Sequence, residues 1–115
     1  MQPSRGEIWT VNLEPVEGHE QGGENRPALI ISVDEFNHGP ADLVTALPIT
    51  TKDKGIPFHF AVDPLEGGLT RRSFIKCEDI RSLSKNRLKK RLGKISEAKM
   101  LMVEESLKML LFVRF

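Results

Sequence analysis

Arg26 stands at the end of a glycine-rich loop and at the start of an apolar run, a position from which its guanidinium can meet an anion. A planar guanidinium donates two parallel hydrogen bonds to phosphate oxygens in a geometry that lysine cannot copy. Within the preceding loop, Gly22 and Gly23 would let the backbone approach a ligand closely. A structural role stays open, in which Arg26 binds loop carbonyls or pairs with Glu24 and the glycines only form turns.

Two adjacent hydroxyl residues, Thr50 and Thr51, follow Pro48 and Ile49 at the end of a strand-like segment. Hydroxyls exposed at the end of a strand can donate hydrogen bonds to a nonbridging phosphate oxygen. The alternative is that both are ordinary threonines of a β-turn. The residues themselves therefore leave an anion-binding role and a structural role open for this pair.

Three further side chains are able to transfer protons: His19, Lys76 and Glu78. His19 lies in the polar part of the glycine-rich loop, and an imidazole titrates close to neutral pH. Lys76 and Glu78 flank Cys77 in an extended segment, so both are expected on one face, where they would bracket one phosphate. Each has a simpler alternative: His19 as a spectator, and Lys76 with Glu78 as a surface ion pair of little energetic worth. Cys77 is then expected to point into the core.

The composition excludes several other classes of protein. A chain of 115 residues, with 39% hydrophobic and 29% charged residues, is predicted to form one globular domain over residues 1–115. No apolar run approaches the roughly 18 residues of a membrane span, so no membrane association is expected. The single cysteine, Cys77, excludes an internal disulfide framework and favours the reducing cytoplasm. The three histidines lie about twenty positions apart and form no cluster with it, so neither a metal site nor a cofactor is expected.

The net charge of +1 hides a strongly uneven distribution of charge along the chain. Residues 1–70 carry a net charge of −7, whereas residues 71–94, the basic block, carry ten basic and two acidic side chains. Clustered Lys and Arg side chains favour binding to a polyanion, because they release counterions condensed on its phosphates. The alternative is a basic face that is simply solvated.

Five short segments have the period or composition of strands, and they precede one amphipathic segment. The predicted strands are residues 7–13, 28–33, 43–47, 58–62 and 73–77. In the first, Trp9, Val11 and Leu13 alternate, which predicts a half-buried strand, and Pro48 is expected to end the third. Ser96 then caps a predicted helix over residues 97–112 with a single apolar stripe. This order predicts a mainly β fold, a small barrel or rolled sheet with the helix laid against it.

Several motifs occur in a set order along the chain: RGEIW, GHEQGG, RP before an apolar run, PITT and KGIPF. In this combination the sequence resembles the MazF, PemK and Kid family of RNA-cleaving toxins from bacterial type II toxin–antitoxin pairs. The resemblance covers essentially the whole chain. It implies a small SH3-like antiparallel β-barrel with a C-terminal amphipathic α-helix.

The resemblance also assigns roles to individual residues. It implies that Arg26 is the catalytic arginine and that Thr50 is the active-site threonine. Kid-like members have a histidine at the position of His19, and an Arg-Cys-Asp stretch with acid–base roles where this chain has Lys76, Cys77 and Glu78. The residues expected on the same grounds to bind RNA are Gly22, Gly23, Thr51, Lys52 and Lys54.

The function that the resemblance implies is metal-independent, sequence-selective cleavage of single-stranded RNA by attack of the neighbouring 2′-hydroxyl. The RNA would be mRNA, rRNA or tRNA. The implied partners are a second copy of the chain in a homodimer, a cognate MazE-like antitoxin, and operator DNA contacted only through the toxin–antitoxin complex. The alternative is a non-catalytic CcdB-like gyrase poison or a nucleic-acid-binding SH3-like barrel. Arg26 with Thr50 and Thr51 argues against it, because a poison or a plain binder does not need them.

Overall fold

Seven strands and two helices form the framework of the computed structural model, which describes residues 2–113. The strands are β1 (Glu7–Val11), β2 (Arg26–Ile30), β3 (Leu43–Thr50), β4 (His59–Val62), β5 (Ser73–Lys76), β6 (Arg81–Ser84) and β7 (Leu88–Lys94). The helices are α1 (Asp34–Asn37) and α2 (Glu97–Leu111). Three short 3-10 turns cover Glu66–Gly68, Cys77–Asp79 and Lys85–Arg87. This confirms the prediction of a mainly β fold that ends in a helix.

All strand pairs are antiparallel, in the order β4-β5-β3-β2-β1-β7, with β6 beside the first half of β3. β3 pairs with β6 as far as Ala46 and with β5 from Ile49, so it changes partner in mid-strand. Pro48 lies in this gap and faces Ala28 of β2. The prediction that Pro48 ends the strand is therefore wrong, because a proline where the partner changes interrupts neither ladder.

Two apolar clusters lie on opposite faces of the sheet. Trp9, Val11 and Leu13 alternate into one cluster, as predicted from their spacing. Ile8 enters the other cluster, so β1 is buried on both faces and not half-buried as expected. The cause is helix α2, whose Met100 joins the cluster of Ile8 and covers that face.

Helix α2 begins as predicted, since the Ser96 hydroxyl accepts a hydrogen bond from the Lys99 amide at 3.2 Å. Met100 and Val103 of the apolar stripe are buried. The helix ends at Leu111, one residue before the predicted end. Leu111 is 53% exposed, so the buried part of the stripe does not extend to the end of the helix. Within residues 2–113, no helix has the length and apolar character needed to cross a membrane.

Strands β6 and β7 and the short helix α1 escaped the sequence analysis. β6 and β7 lie in the basic block, and the one buried residue of each is Leu83 and Leu88, respectively. Such a polar sequence lacks the apolar alternation that indicates a strand. Both strands form because β6 pairs with β3 and β7 pairs with β1. The predicted strand over residues 73–77 is shorter by one residue and ends at Lys76.

Candidate active site

The ends of three neighbouring strands meet the β1–β2 loop (residues 12–25) in a cleft of about 300 Å³, here called the main cleft. The register that places Ala28 opposite Pro48 brings Arg26, the first residue of β2, level with Thr50, the last of β3. The side chains lining the main cleft are His19, Glu20, Gln21, Arg26, Thr50, Lys52, Lys54 and Lys76. Four of these are basic and one is acidic, so the main cleft favours an anion.

Arg26 enters the main cleft with unused hydrogen-bonding capacity. Its Nε atom is buried and has no hydrogen-bond partner in the described protein. Its aliphatic part lies against Gly23, where a Cβ atom would come within 2.5 Å of Arg26 Cγ. Gly23 also has a φ of +120°, which side-chain-bearing residues rarely adopt. A buried donor without a partner is costly, so this nitrogen is suited to receive an oxygen from a ligand.

Of the predicted glycines and hydroxyl residues, Thr50 lines the main cleft, whereas Thr51, Gly22 and Gly23 do not. Thr50 is 3% exposed, and its Oγ1 accepts a hydrogen bond from the Lys52 amide at 3.2 Å, which leaves the hydroxyl proton to donate. Thr51 is exposed beside it and is absent from the lining of the main cleft. Gly22 makes room for the Glu14 carboxylate, and Gly23 makes room for the side chain of Arg26. In this structure the atoms closest to the two glycines therefore belong to the protein itself.

Lys76 is 5% exposed, and its ammonium is held from two sides. Its Nζ atom lies 3.3 Å from Gln21 Oε1 and 3.7 Å from Asp79 Oδ2. The same Asp79 oxygen accepts a hydrogen bond from the backbone amide of Gln21 at 2.8 Å. Sequence analysis singled out neither Gln21 nor Asp79. The available signal was an acidic residue three positions after a lysine that ends a strand.

Glu78 does not lie on a strand with Lys76, so the expectation that the two share one strand face is wrong. β5 ends at Lys76, and Glu78 lies in the Cys77–Asp79 turn that follows it. Glu78 Oε2 lies 2.7 Å from Nε2 of His59, whose side chain is 3% exposed. Glu78 lines a second, adjoining cleft of about 290 Å³ with His19, Glu20, Lys76 and Asp79.

Cys77 lies in the core, as predicted. Burial in apolar surroundings raises the pKa of its thiol to about 11. The thiol is therefore protonated at neutral pH. Among the residues that the structure describes, no group of three or more His, Cys, Asp or Glu side chains is placed to hold a metal ion.

Two arginines of the basic block support the β1–β2 loop and do not line the main cleft. Arg87 Nη1 donates to the carbonyls of Asn12 at 3.1 Å and Glu14 at 2.5 Å, and Arg81 Nη1 donates to that of Leu13 at 3.3 Å. All ten basic residues of the block lie in the described part of the chain, and Lys76 is the one that lines the main cleft. Lys76 is thus the residue by which the basic block contributes charge to the main cleft.

The antiparallel sheet and the basic main cleft define a small, mainly β protein. Residues 4–111 match the family described as PemK-like, MazF-like toxin of type II toxin-antitoxin system. The chain belongs to this family, as the order of its motifs indicated.

Relatives in sequence and structure agree with this assignment. A protein of Staphylococcus epidermidis named Endoribonuclease MazF is 38% identical over 104 residues, which cover 90% of this chain and 86% of the relative. The crystal structure of MazF (Form-I) from Deinococcus radiodurans is 30% identical, with a TM-score of 0.86 and coverage of 98% of this chain and 99% of that one. The MazE-MazF (Form-II) crystal structure from the same organism is 30% identical, with a TM-score of 0.80 and coverage of 99% of each chain.

Proposed function

We propose that this protein is an endoribonuclease toxin that cuts single-stranded RNA in the main cleft. The observation that carries the proposal is the convergence of Arg26, Thr50 and Lys76, from three different strands, with the exposed Lys52 and Lys54. These groups offer positive charge and hydrogen bonds to one phosphate and to the neighbouring phosphates along an RNA strand. Relatives named as endoribonucleases favour this function over a gyrase poison or a plain nucleic-acid-binding barrel.

The reaction that suits these groups needs no metal ion. The 2′-hydroxyl next to the scissile phosphate loses its proton and attacks phosphorus, and the 5′-oxygen leaves and takes up a proton. The products are a 2′,3′-cyclic phosphate and a 5′-hydroxyl. Arg26 and Lys76 would stabilise the charge that builds on the nonbridging oxygens, and Thr50 would donate to one of them.

Three groups that line one or both clefts are candidates for the proton transfers. His19 is exposed and borders both clefts, and an imidazole can serve as a proton donor or acceptor in catalysis. Glu78 lies in the second cleft, where His59 holds one of its carboxylate oxygens. Lys76 borders both clefts and is the candidate that could protonate the leaving oxygen. Gly22, Gly23 and Thr51 would act on RNA indirectly, through the shape of the loop and of the strand end that carry Arg26 and Thr50.

The proposed partners follow from the family and from two surfaces. Relatives have been crystallised as MazE-MazF complexes, and we assign to this chain a MazE-like antitoxin whose acidic tail would cover the basic main cleft. Operator DNA would be contacted only through that complex. Helix α2 exposes Leu101, Met102 and Met109, and such apolar surface supports a homodimer. The proposed compartment is the cytoplasm, where RNA and the antitoxin meet.

The test is incubation of the purified protein with mixed RNA in EDTA, with the products separated on a gel and their ends determined by mass. We expect discrete fragments that end in 2′,3′-cyclic phosphates. Intact RNA with retained binding would favour the plain nucleic-acid-binding barrel. Intact RNA together with inhibition of gyrase supercoiling would favour the gyrase poison.

A further inference from the structure

We propose that Asp79 is a positioning residue that fixes both the β1–β2 loop and the Lys76 ammonium for the reaction at the phosphate. This inference rests on the proposed function. Asp79 would not touch the RNA itself. It would act through Gln21 of the loop and through Lys76 of β5, which it contacts with one and the same carboxylate oxygen.

The contacts form a closed triangle between the loop and the floor of the main cleft. Asp79 Oδ2 lies 2.8 Å from the Gln21 amide nitrogen and 3.7 Å from Lys76 Nζ. Lys76 Nζ in turn lies 3.3 Å from Gln21 Oε1. Gln21 and Lys76 both line the main cleft, whereas Asp79 lines the second cleft together with Lys76. Displacing any one of the three would therefore break its contacts with the other two.

The electrostatic surroundings of Lys76 make the carboxylate of Asp79 important. The side chain of Lys76 is 6% exposed, and a buried ammonium is unfavourable unless an opposite charge faces it. Its other basic neighbours in the main cleft, Arg26, Lys52 and Lys54, repel it. Of the nearby acidic residues, Glu78 is bound to His59, and Glu20 accepts a hydrogen bond from the backbone amide of Glu17 at 2.7 Å. The ion-pair partner of Lys76 is Asp79.

The loop depends on Asp79 at a different point from its other supports. Arg87 and Glu14 hold the two ends of the loop, through the carbonyl of Asn12 and the amide of Gly23. Asp79 holds the middle, at Gln21, next to His19 and Glu20. Without this contact the middle of the loop loses its charged anchor, while both ends stay attached.

Two substitutions separate the roles of Asp79 in the full-length protein. Asp79→Asn keeps an oxygen that can accept the Gln21 amide but removes the charge that faces Lys76. Asp79→Ala removes both. Asp63→Asn is the matched control, since it neutralises an exposed carboxylate that pairs with Arg72 away from both clefts.

We expect Asp79→Asn to lower kcat for cleavage of an RNA oligonucleotide by about tenfold or more with little change in KM, because a misplaced charge acts mainly in the transition state. In a Lys76→Gln background the same change should have almost no further effect, because the interaction between Asp79 and Lys76 is already lost there. Asp79→Ala should also raise KM and speed hydrogen exchange at the Gln21 amide about tenfold or more, because the loop is released.

Hydrogen exchange at Gln21 and the thermal midpoint are measured for every variant, so a loss of folding is recognised directly. Equal kcat in Asp79→Asn and wild type, a higher kcat, or additive effects of the Lys76 and Asp79 substitutions would each overturn the inference. Unchanged exchange at Gln21 in Asp79→Ala would overturn the role in the loop. If the wild type itself leaves RNA uncut, the proposed function fails, whereas an active wild type with unaffected Asp79 variants refutes this inference alone.

Discussion

Lys52 and Lys54 are exposed at the main cleft, and their removal should weaken the dependence of RNA binding on salt. The double substitution Lys52→Gln/Lys54→Gln tests whether the cleft binds phosphates beside the scissile one. Its matched control is Lys89→Gln/Lys90→Gln, which removes the same charge from exposed residues of β7, two strands away from β2. Any difference between the two variants then reports where the RNA lies and not how much charge was lost.

The magnitude follows from the release of counterions. Each phosphate neutralised on a single strand contributes about −0.7 to the slope of log K against log salt, so two lysines contribute about −1.4. Between 50 and 200 mM salt, the wild type should therefore lose roughly sevenfold more affinity than the cleft variant. The β7 variant should keep nearly the whole slope of the wild type.

The assay is fluorescence anisotropy with a 2′-O-methyl oligonucleotide, which lacks the attacking hydroxyl and therefore stays intact. Affinity is measured across the salt series for the wild type and both variants. Equal slopes and equal affinities for the wild type and the Lys52/Lys54 variant would show that RNA does not bind in the main cleft. A reduced slope in the β7 variant alone would move the RNA track to that edge of the sheet.

Three further predictions concern the loop, the helix and the core. Gly23→Ala should cut RNA about 100-fold more slowly in a gel assay by displacing Arg26, whereas Gly18→Ala, with positive φ but open space around it, should stay close to wild type. Leu107→Asp should lower the free energy of unfolding in urea by about 2 kcal/mol or more, because Leu107 packs on the core. Leu65→Asp, at an exposed leucine outside helix α2, should change it little, and equal midpoints for the two variants would refute this packing. Cys77, with its raised thiol pKa of about 11, should react with DTNB only after unfolding, and fast labelling of the native protein at pH 7 would contradict its burial.

Local patterns were sufficient to predict strands β1 to β5 and helix α2, although not β6 and β7. The alternation of Trp9, Val11 and Leu13 and the Ser96 cap are each written within a few residues of sequence. Arg26 and Thr50 could be chosen because motifs in a set order resemble a known family. That one cleft brings them together follows from the register of β2 and β3, which no local pattern specifies.

What could not be predicted from the sequence involves either contacts between distant residues or the exact residue at which a strand ends. The second buried face of β1 depends on Met100 of α2, more than ninety positions from Ile8. The separation of Glu78 from Lys76 depends on a turn that begins directly after β5. The link from Asp79 to Gln21 spans 58 positions and joins two loops that only the folded sheet brings together.

The most direct test of the account is the rate of RNA cleavage by Arg26→Ala in EDTA, measured in single turnover beside the wild type. Arg72→Ala is the matched control, because Arg72 is an exposed arginine paired with Asp63 and lies outside the main cleft. We predict a loss of roughly 10²–10⁴-fold for Arg26→Ala, with an unchanged melting curve, and a rate close to wild type for Arg72→Ala. Cleavage by folded Arg26→Ala at the wild-type rate would show that the main cleft is not the active site.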